Sequence, residues 1–355
     1  MSNSTGTLDA ETMFRQRATE RLLIFDGGYG TAIQKYGLGE ADYRGAIDLT
    51  KDQKGNNDLL CLTRPDIVKA IHGAYLDAGA DMIETNSFSS TRIAMADYGA
   101  EHLVRDLNIA AARLAREACD EAEAKTGVRR FVAGAIGPTN KTLSLSPNVN
   151  DPAYREISYD ALKEQYREQC AALIEGGVDF LLVETCFDTL NAKAAGMAAR
   201  EAEAESGRKV PLMLSFTITD MSGRNLSGHT VAAFWYSLRH LKPLTIGVNC
   251  AFGADLLRPY LGELSKIADT LILAYPNAGL PNELGQYDEL PERTAELIRE
   301  WTDEKLVNMV GGCCGTTPAH IAAIAKAVTG ASPRIVPELP VVTRLAGLDP
   351  MNIAA

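Results

Sequence analysis

Along the chain, short runs of β-branched and aliphatic residues alternate with longer stretches whose apolar positions recur every three to four residues. Continuous apolar runs fit buried strands and the 3.6-residue period fits helices with one buried face, so the pattern reads as strand then helix, repeated. Eight such pairs are present, with strands predicted at 22–28, 81–88, 131–138, 180–186, 212–218, 244–250, 270–277 and 306–312. In EHLVRDLNIAAARLAREACDE, the residues Leu103, Leu107, Ala110, Leu114 and Ala118 make one apolar stripe opposite a charged face. The helix after the fourth strand is expected to start at an Asp188 cap, and the last one at Pro318 behind Thr316 and Thr317.

Eight strands each followed by a helix predict a single-domain α/β fold, a (β/α)8 barrel, which needs about 250 residues before insertions. A pair of Rossmann-like domains is the competing arrangement. No composition break or Pro/Ser linker divides the chain, and no GxGxxG follows the first strand. The expected layout is a helical extension at 1–20, the barrel at 21–330 and a tail at 331–355. The longest irregular pieces, 38–65, 140–151 and 220–228, all follow carboxyl ends of strands, where barrels place binding loops.

Composition narrows the function. With 35 Lys+Arg against 46 Asp+Glu the net charge is −11, so no basic footprint exists for nucleic acid or an anionic membrane surface. The polar first twenty residues carry no signal-peptide run and no stretch is apolar enough for a membrane span, which predicts a cytoplasmic protein. Seven cysteines without an export signal argue against a disulfide framework and for metal or thiol chemistry.

In a barrel the carboxyl ends of the strands surround one mouth. Those ends carry Asp26-Gly27-Gly28, Glu84-Thr85-Asn86-Ser87, Gly137-Pro138-Thr139, Glu184-Thr185-Cys186, Ser215 and Thr217, Asn249-Cys250, Pro276-Asn277 and Gly312-Cys313-Cys314. Three thiolates, Cys250, Cys313 and Cys314, fit a zinc site with one open position. Neighbouring residues on a strand point apart, so Cys313 and Cys314 reach one metal only through a sharp turn, which Gly311, Gly312 and Gly315 permit. The alternatives are small buried core residues or, for GGCCG, a phosphate cradle that leaves Cys250 without a role.

A zinc with three thiolates is a poor activator of water and a good holder of a fourth thiolate, which makes alkyl transfer to a substrate thiol the leading chemistry. Asp26 and Glu184 could meet an ammonium group, while the amides of Gly27 and Gly28 could approach a carboxylate. Together they describe an amino acid with a thiol side chain. A glycosidase would want a second carboxylate from another strand end, and the seventh strand ends in Asn277. The five histidines show no paired spacing and are read as solvent-facing or on loops, with only His229 near the mouth. Asn86, Thr139 and Asn140 could bond substrate or simply shape loops.

The chain resembles the homocysteine-binding module of cobalamin-dependent methionine synthase. The likeness runs through FDGGYGTAIQ, GNNDLLCLTRPDIVKAIHGAYLDAGADMIETNSF, GAIGPTNKTLSLSPNVNDPAYREISYD, FLLVETCFDTLNAKAA, GRNLSGHT, IGVNCAFGADLLRPYL, YPNAGLPNELGQYD and VGGCCGTTPAHI. Shorter pieces, DGG, VNC and GGCCG, are shared with zinc-dependent homocysteine methyltransferases that use betaine or S-methylmethionine. The resemblance implies Zn2+ on Cys250, Cys313 and Cys314, the homocysteine sulfur as fourth ligand, Asp26 and Glu184 near its amino group, and Asn277 on the metal when substrate is absent. It also implies methylcobalamin as donor. The stretch VTRLAGLDPMNI looks like the entry to a folate module, so a separate polypeptide with folate- and cobalamin-binding modules is the expected partner. A self-sufficient methyltransferase and a non-catalytic zinc or thiol-binding protein are the other two expectations.

Overall fold

The computed structural model describes residues 9–353, and the eight apolar runs pair side by side in parallel. They form β1 (Leu23–Ile24), β2 (Met82–Glu84), β3 (Phe131–Ile136), β4 (Phe180–Cys186), β5 (Leu212–Phe216), β6 (Thr245–Asn249), β7 (Leu271–Tyr275) and β8 (Met309–Val310). Their order, β1-β8-β7-β6-β5-β4-β3-β2, is closed by a parallel bridge from Phe25 to Met82. This is the expected (β/α)8 barrel.

Strands β1, β2 and β8 stop earlier than predicted. Their continuations leave the regular ladder and make single bonds across strand ends instead, such as Gly312 N–H to Asp26 O at 2.9 Å. Helix caps follow the sequence: Asp188 accepts from the Leu190 and Asn191 amides, and Thr317 caps the helix Pro318–Ala327.

The predicted stripe on the helix Val104–Thr126 is displaced. Its buried ridge is Val104, Leu107, Asn108, Ala111, Ala115, Ala118, Cys119 and Ala122, while Leu103, Ala110 and Leu114 are only half-buried. Close packing explains the shift: a Cβ on Gly176 of the next helix would lie 2.5 Å from Ala112 Cβ, so small residues face the contact and leucines flank it.

Inside the barrel, alternate strand residues such as Leu23, Met82, Phe131, Phe180, Met213 and Leu273 fill the interior. The helix Ala10–Glu20 closes the amino-terminal end by inserting Phe14, which is fully buried with ring centroids 5.8 Å from Phe131 and 5.3 Å from Phe180. The first eight residues of the predicted extension lie outside the described residues. After the last helix, buried Arg334 donates to the Ser265, Ala268 and Thr270 carbonyls, and the hairpin β9 (Thr343–Ala346) and β10 (Pro350–Ile353) ends beside the loop after β5. Among the described residues no helix is long and apolar enough to cross a membrane.

Phe14→Ala removes the plug's largest buried side chain and is expected to lower unfolding stability by about 3–5 kcal/mol. Equilibrium denaturation followed by circular dichroism checks this; an unchanged midpoint would mean the helix is not part of the barrel's core.

Candidate active site

Each of the three mouth cysteines is fastened through its backbone to a neighbouring strand end. Cys250 directly follows β6, with φ 59°, and its amide donates to Tyr275 O at 3.2 Å. Cys313 follows Gly312 and donates its amide to Pro276 O at 2.7 Å, while Cys314 O accepts from the Ala278 amide at 3.0 Å. Gly315, at φ 80°, completes the turn. The need for glycine at 28 is spatial: a Cβ there would lie 2.6 Å from Cys313 O.

This backbone brings the three sulfurs within 4.8 Å of one another. Cys314 Sγ is 3.9 Å from Cys250 Sγ and 4.0 Å from Cys313 Sγ. Tetrahedral zinc with Zn–S bonds near 2.3 Å sets its sulfurs about 3.8 Å apart, so the trio has the spacing of one face of such a site and could hold the ion. The hydrogen bonds that Cys250 and Cys313 donate pull the Cys314 thiol down to about 3, so the trio readily keeps one negative charge. Beside it, Asn277 is buried, its amide donates to Phe252 O, and its Oδ1 has no hydrogen-bond donor.

A second cluster lies across the barrel. Glu184 is buried, Tyr275 Oη donates to its Oε2 at 3.0 Å, and its Oε1 has no partner. Asp26 accepts the Glu84 amide on Oδ2 at 2.8 Å and leaves Oδ1 unpartnered. Burial pushes all three carboxyls up, Glu184 to about 7, and Glu84 is raised further by the charge of Glu184. No ion pair reaches any of them among the described residues. Two buried carboxyls, Asp26 and Glu184, and half-buried Glu84 are costly without a cation, and an ammonium group is the complement they lack.

Both clusters meet in a cavity of about 540 Å³ that is bordered by Gly28, Glu84, Glu184, Thr185, Tyr275 and the three cysteines, and that widens past Asn57, Asp58, Met95 and Tyr98. Asp26, Gly27 and Asn277 lie one layer behind its wall. The Gly28 amide is not free, since it donates to Thr316 Oγ1 at 3.2 Å. Asn86 and Asn140 border the cavity, whereas Thr139 bonds Lys141 O and shapes its loop. His229 bonds Ser227 Oγ away from the cavity, and His72 and His320, expected in solvent, are buried: His72 against Tyr29 Oη and His320 in the cap of its helix. Their helices turn those positions inward.

Glu84 and Tyr275 had no assigned role in the sequence. The signal for Glu84 was present, since it ends β2 as Glu184 lies near the end of β4. Tyr275 gave none, because a tyrosine ending a buried strand is ordinary core. A larger cleft of about 620 Å³ at the opposite end of the barrel is lined by Arg15, Arg239, Lys242 and Arg344, but Arg239 pairs with Asp269, Arg15 with Glu11, and Arg344 bonds backbone carbonyls.

Residues 23–328 match the family model described as homocysteine S-methyltransferase. Among solved structures, the homocysteine methyltransferase MmuM from Escherichia coli is similar in fold. Its metallated form is 23% identical with a TM-score of 0.68, over 86% of this chain and 96% of that one. Its oxidized form is 23% identical at 0.66, over 86% and 95%, and its apo form 22% identical at 0.62, over 86% and 96%.

Purified chain dialysed with Zn2+ is expected to retain one equivalent by elemental analysis, and Cys250→Ala, Cys313→Ala or Cys314→Ala to retain less than about a tenth of that. Because the ligands must be deprotonated, acidification should release the metal. Full retention in any of the three variants would remove that cysteine from the site.

Proposed function

The chain belongs to the homocysteine S-methyltransferase family, and from that premise we propose that it grips homocysteine by its amino-acid end and its sulfur together, and transfers to the sulfur a methyl group from methylcobalamin carried by a separate polypeptide with folate- and cobalamin-binding modules. The observation that carries the substrate half is the juxtaposition of a thiol trio at metal spacing with buried carboxyls that lack a cation, in one cavity. Zn2+ on Cys250, Cys313 and Cys314 supplies an open position where the substrate thiol is deprotonated and stays nucleophilic. Glu184, held by Tyr275, and Glu84 face the substrate ammonium, with Asp26 behind them. Asn277, whose buried Oδ1 has no hydrogen-bond donor, would be the metal's further oxygen ligand when substrate is absent.

The distribution of exposed apolar residues supports a macromolecular donor. Before position 330, every large hydrophobic residue that is exposed among the described residues, Val128 excepted, lies in a segment following the carboxyl end of a strand; Val149, Met221, Leu284 and Leu290 are 95%, 71%, 83% and 66% exposed. An apolar rim of this kind marks a surface that another protein covers. In this reading residues 21–330 are the homocysteine-binding barrel, residues 331–355 are a tail that resembles a linker to a folate module, and the chain works in the cytoplasm. A second reading, a self-sufficient enzyme using S-methylmethionine or betaine, is favoured by one feature: the outer cavity carries Asp58 and Asp97 beside Tyr98, a lining suited to a cationic donor.

Incubating zinc-loaded chain and homocysteine with each donor separates the two. Methionine is expected with methylcobalamin, faster on the partner than free; turnover with a sulfonium or betaine alone would establish the second reading.

The charge on Glu184 sets a pH dependence. Below about pH 7 it holds a proton and is a neutral neighbour to an ammonium; above, it is an anion. Affinity for L-methionine, which has no thiol to titrate, is expected to rise by up to about tenfold per unit between pH 6 and 7 and then level. Calorimetry should show the rise in the wild type and a loss of about 10²-fold in affinity in Glu184→Gln. An unchanged affinity in that variant would take Glu184 out of the ammonium site.

A further inference from the structure

Asn249 is fully buried at the end of β6, and its side chain reaches across the end of β5 to β4. Its Oδ1 accepts the Thr185 amide at 3.1 Å and Ser215 Oγ at 2.6 Å, and its Nδ2 donates to Thr185 Oγ1 at 2.9 Å. The backbone at both ends of this contact is unusual. Thr185, next to Glu184, has φ 54° and sits in a register shift between Val183 and Cys186; Cys250, next to Asn249 itself, has φ 59°. Left-handed conformations at non-glycine residues persist only where surrounding bonds impose them. The single amide thus holds the Thr185 turn that presents Glu184 and ties it to β6 at the residue directly before Cys250, whose own turn is held by its amide's bond to Tyr275 O.

We infer that Asn249 is a positioning residue that sets the span between the ammonium-facing carboxylate and the sulfur-binding trio, and so selects the length of the substrate's side chain. The inference rests on the proposed homocysteine reading and adds to it a source of discrimination. A thiol amino acid one methylene shorter, cysteine, cannot place both ends when the span is rigid; when the amide is removed, the Thr185 turn loses its tie to β6 and the span is no longer fixed. An apolar pocket alone discriminates one methylene only modestly, so a two-point ruler is the stronger device.

The test uses full-length chain loaded with Co2+, titrated with L-homocysteine and with L-cysteine while the visible absorption of the metal is followed. Wild type is expected to bind homocysteine at least about tenfold tighter than cysteine, and Asn249→Ala to weaken homocysteine binding about tenfold while bringing the ratio close to one, with one Co2+ retained. Thr185→Ala, which removes the Oγ1 acceptor and leaves the Asn249 side chain in place, should shift the ratio in the same direction by a smaller factor, and it decides the matter if Asn249→Ala does not fold. An unchanged ratio in Asn249→Ala, or in Thr185→Ala where that variant must decide, overturns the ruler while leaving the site reading intact. Wild-type chain that binds neither Co2+ nor homocysteine overturns the site reading and the ruler with it.

Discussion

The structure depends on holding three sulfurs at the spacing of a tetrahedral face. Thiolates at about 4 Å repel one another unless a cation or shared protons sit among them, so the backbone has to impose the geometry that the metal would need. Closure of the barrel provides this: the peptide groups of Cys250, Cys313 and Cys314 each bond the residues ending or following β7, one step beyond the regular ladder. The ring of strands that closes through Phe25 and Met82, with Phe14 filling its base, therefore fixes the sulfur triangle from a distance.

The second constraint is electrical. A protein of net charge −11 has buried Asp26 and Glu184 and half-buried Glu84 near thiols that share a negative charge, and among the described residues no lysine or arginine pairs with them. Breaking a buried ion pair costs about 3–5 kcal/mol because an uncompensated charge is left behind. A site built in this unpaired state therefore reserves much of its electrostatic energy for what enters it. A divalent metal on one side and an ammonium group on the other would satisfy both clusters, and the thiol amino acid proposed as substrate would join them.

Much of this was legible because it follows short-range rules. Alternating apolar periods predicted eight strands and the barrel, and the rule that strand ends converge brought Cys250, Cys313 and Cys314 into one list. Legibility failed where space, rather than residue type, decides. Glycines 27 and 28 read as free amides for a carboxylate, yet Gly28 is spoken for by Thr316 Oγ1 and is glycine to let Cys313 approach. Buried His72 and the alanine ridge of the helix Val104–Thr126 depend on which neighbour packs against them. Asn249 and Tyr275 are placed by bonds to β4, and pairings between residues 64 and 91 positions apart leave no local trace.

The cavity also constrains how the donor arrives. Its inner end is closed by the sulfurs and carboxyls, and its other direction opens past Asn57, Met95 and Tyr98 toward the loops after β1 and β2. In-line transfer to a sulfur held at the inner end requires the methyl group and its leaving atom to approach along that opening, with water excluded from the path. Exposed Phe88 borders the cavity, and further exposed apolar side chains lie in the segments after β1, β3 and β7. A small donor would enter and leave these residues wet. A protein-borne donor would bury them as it places its methyl group, so docking and water exclusion would be one event.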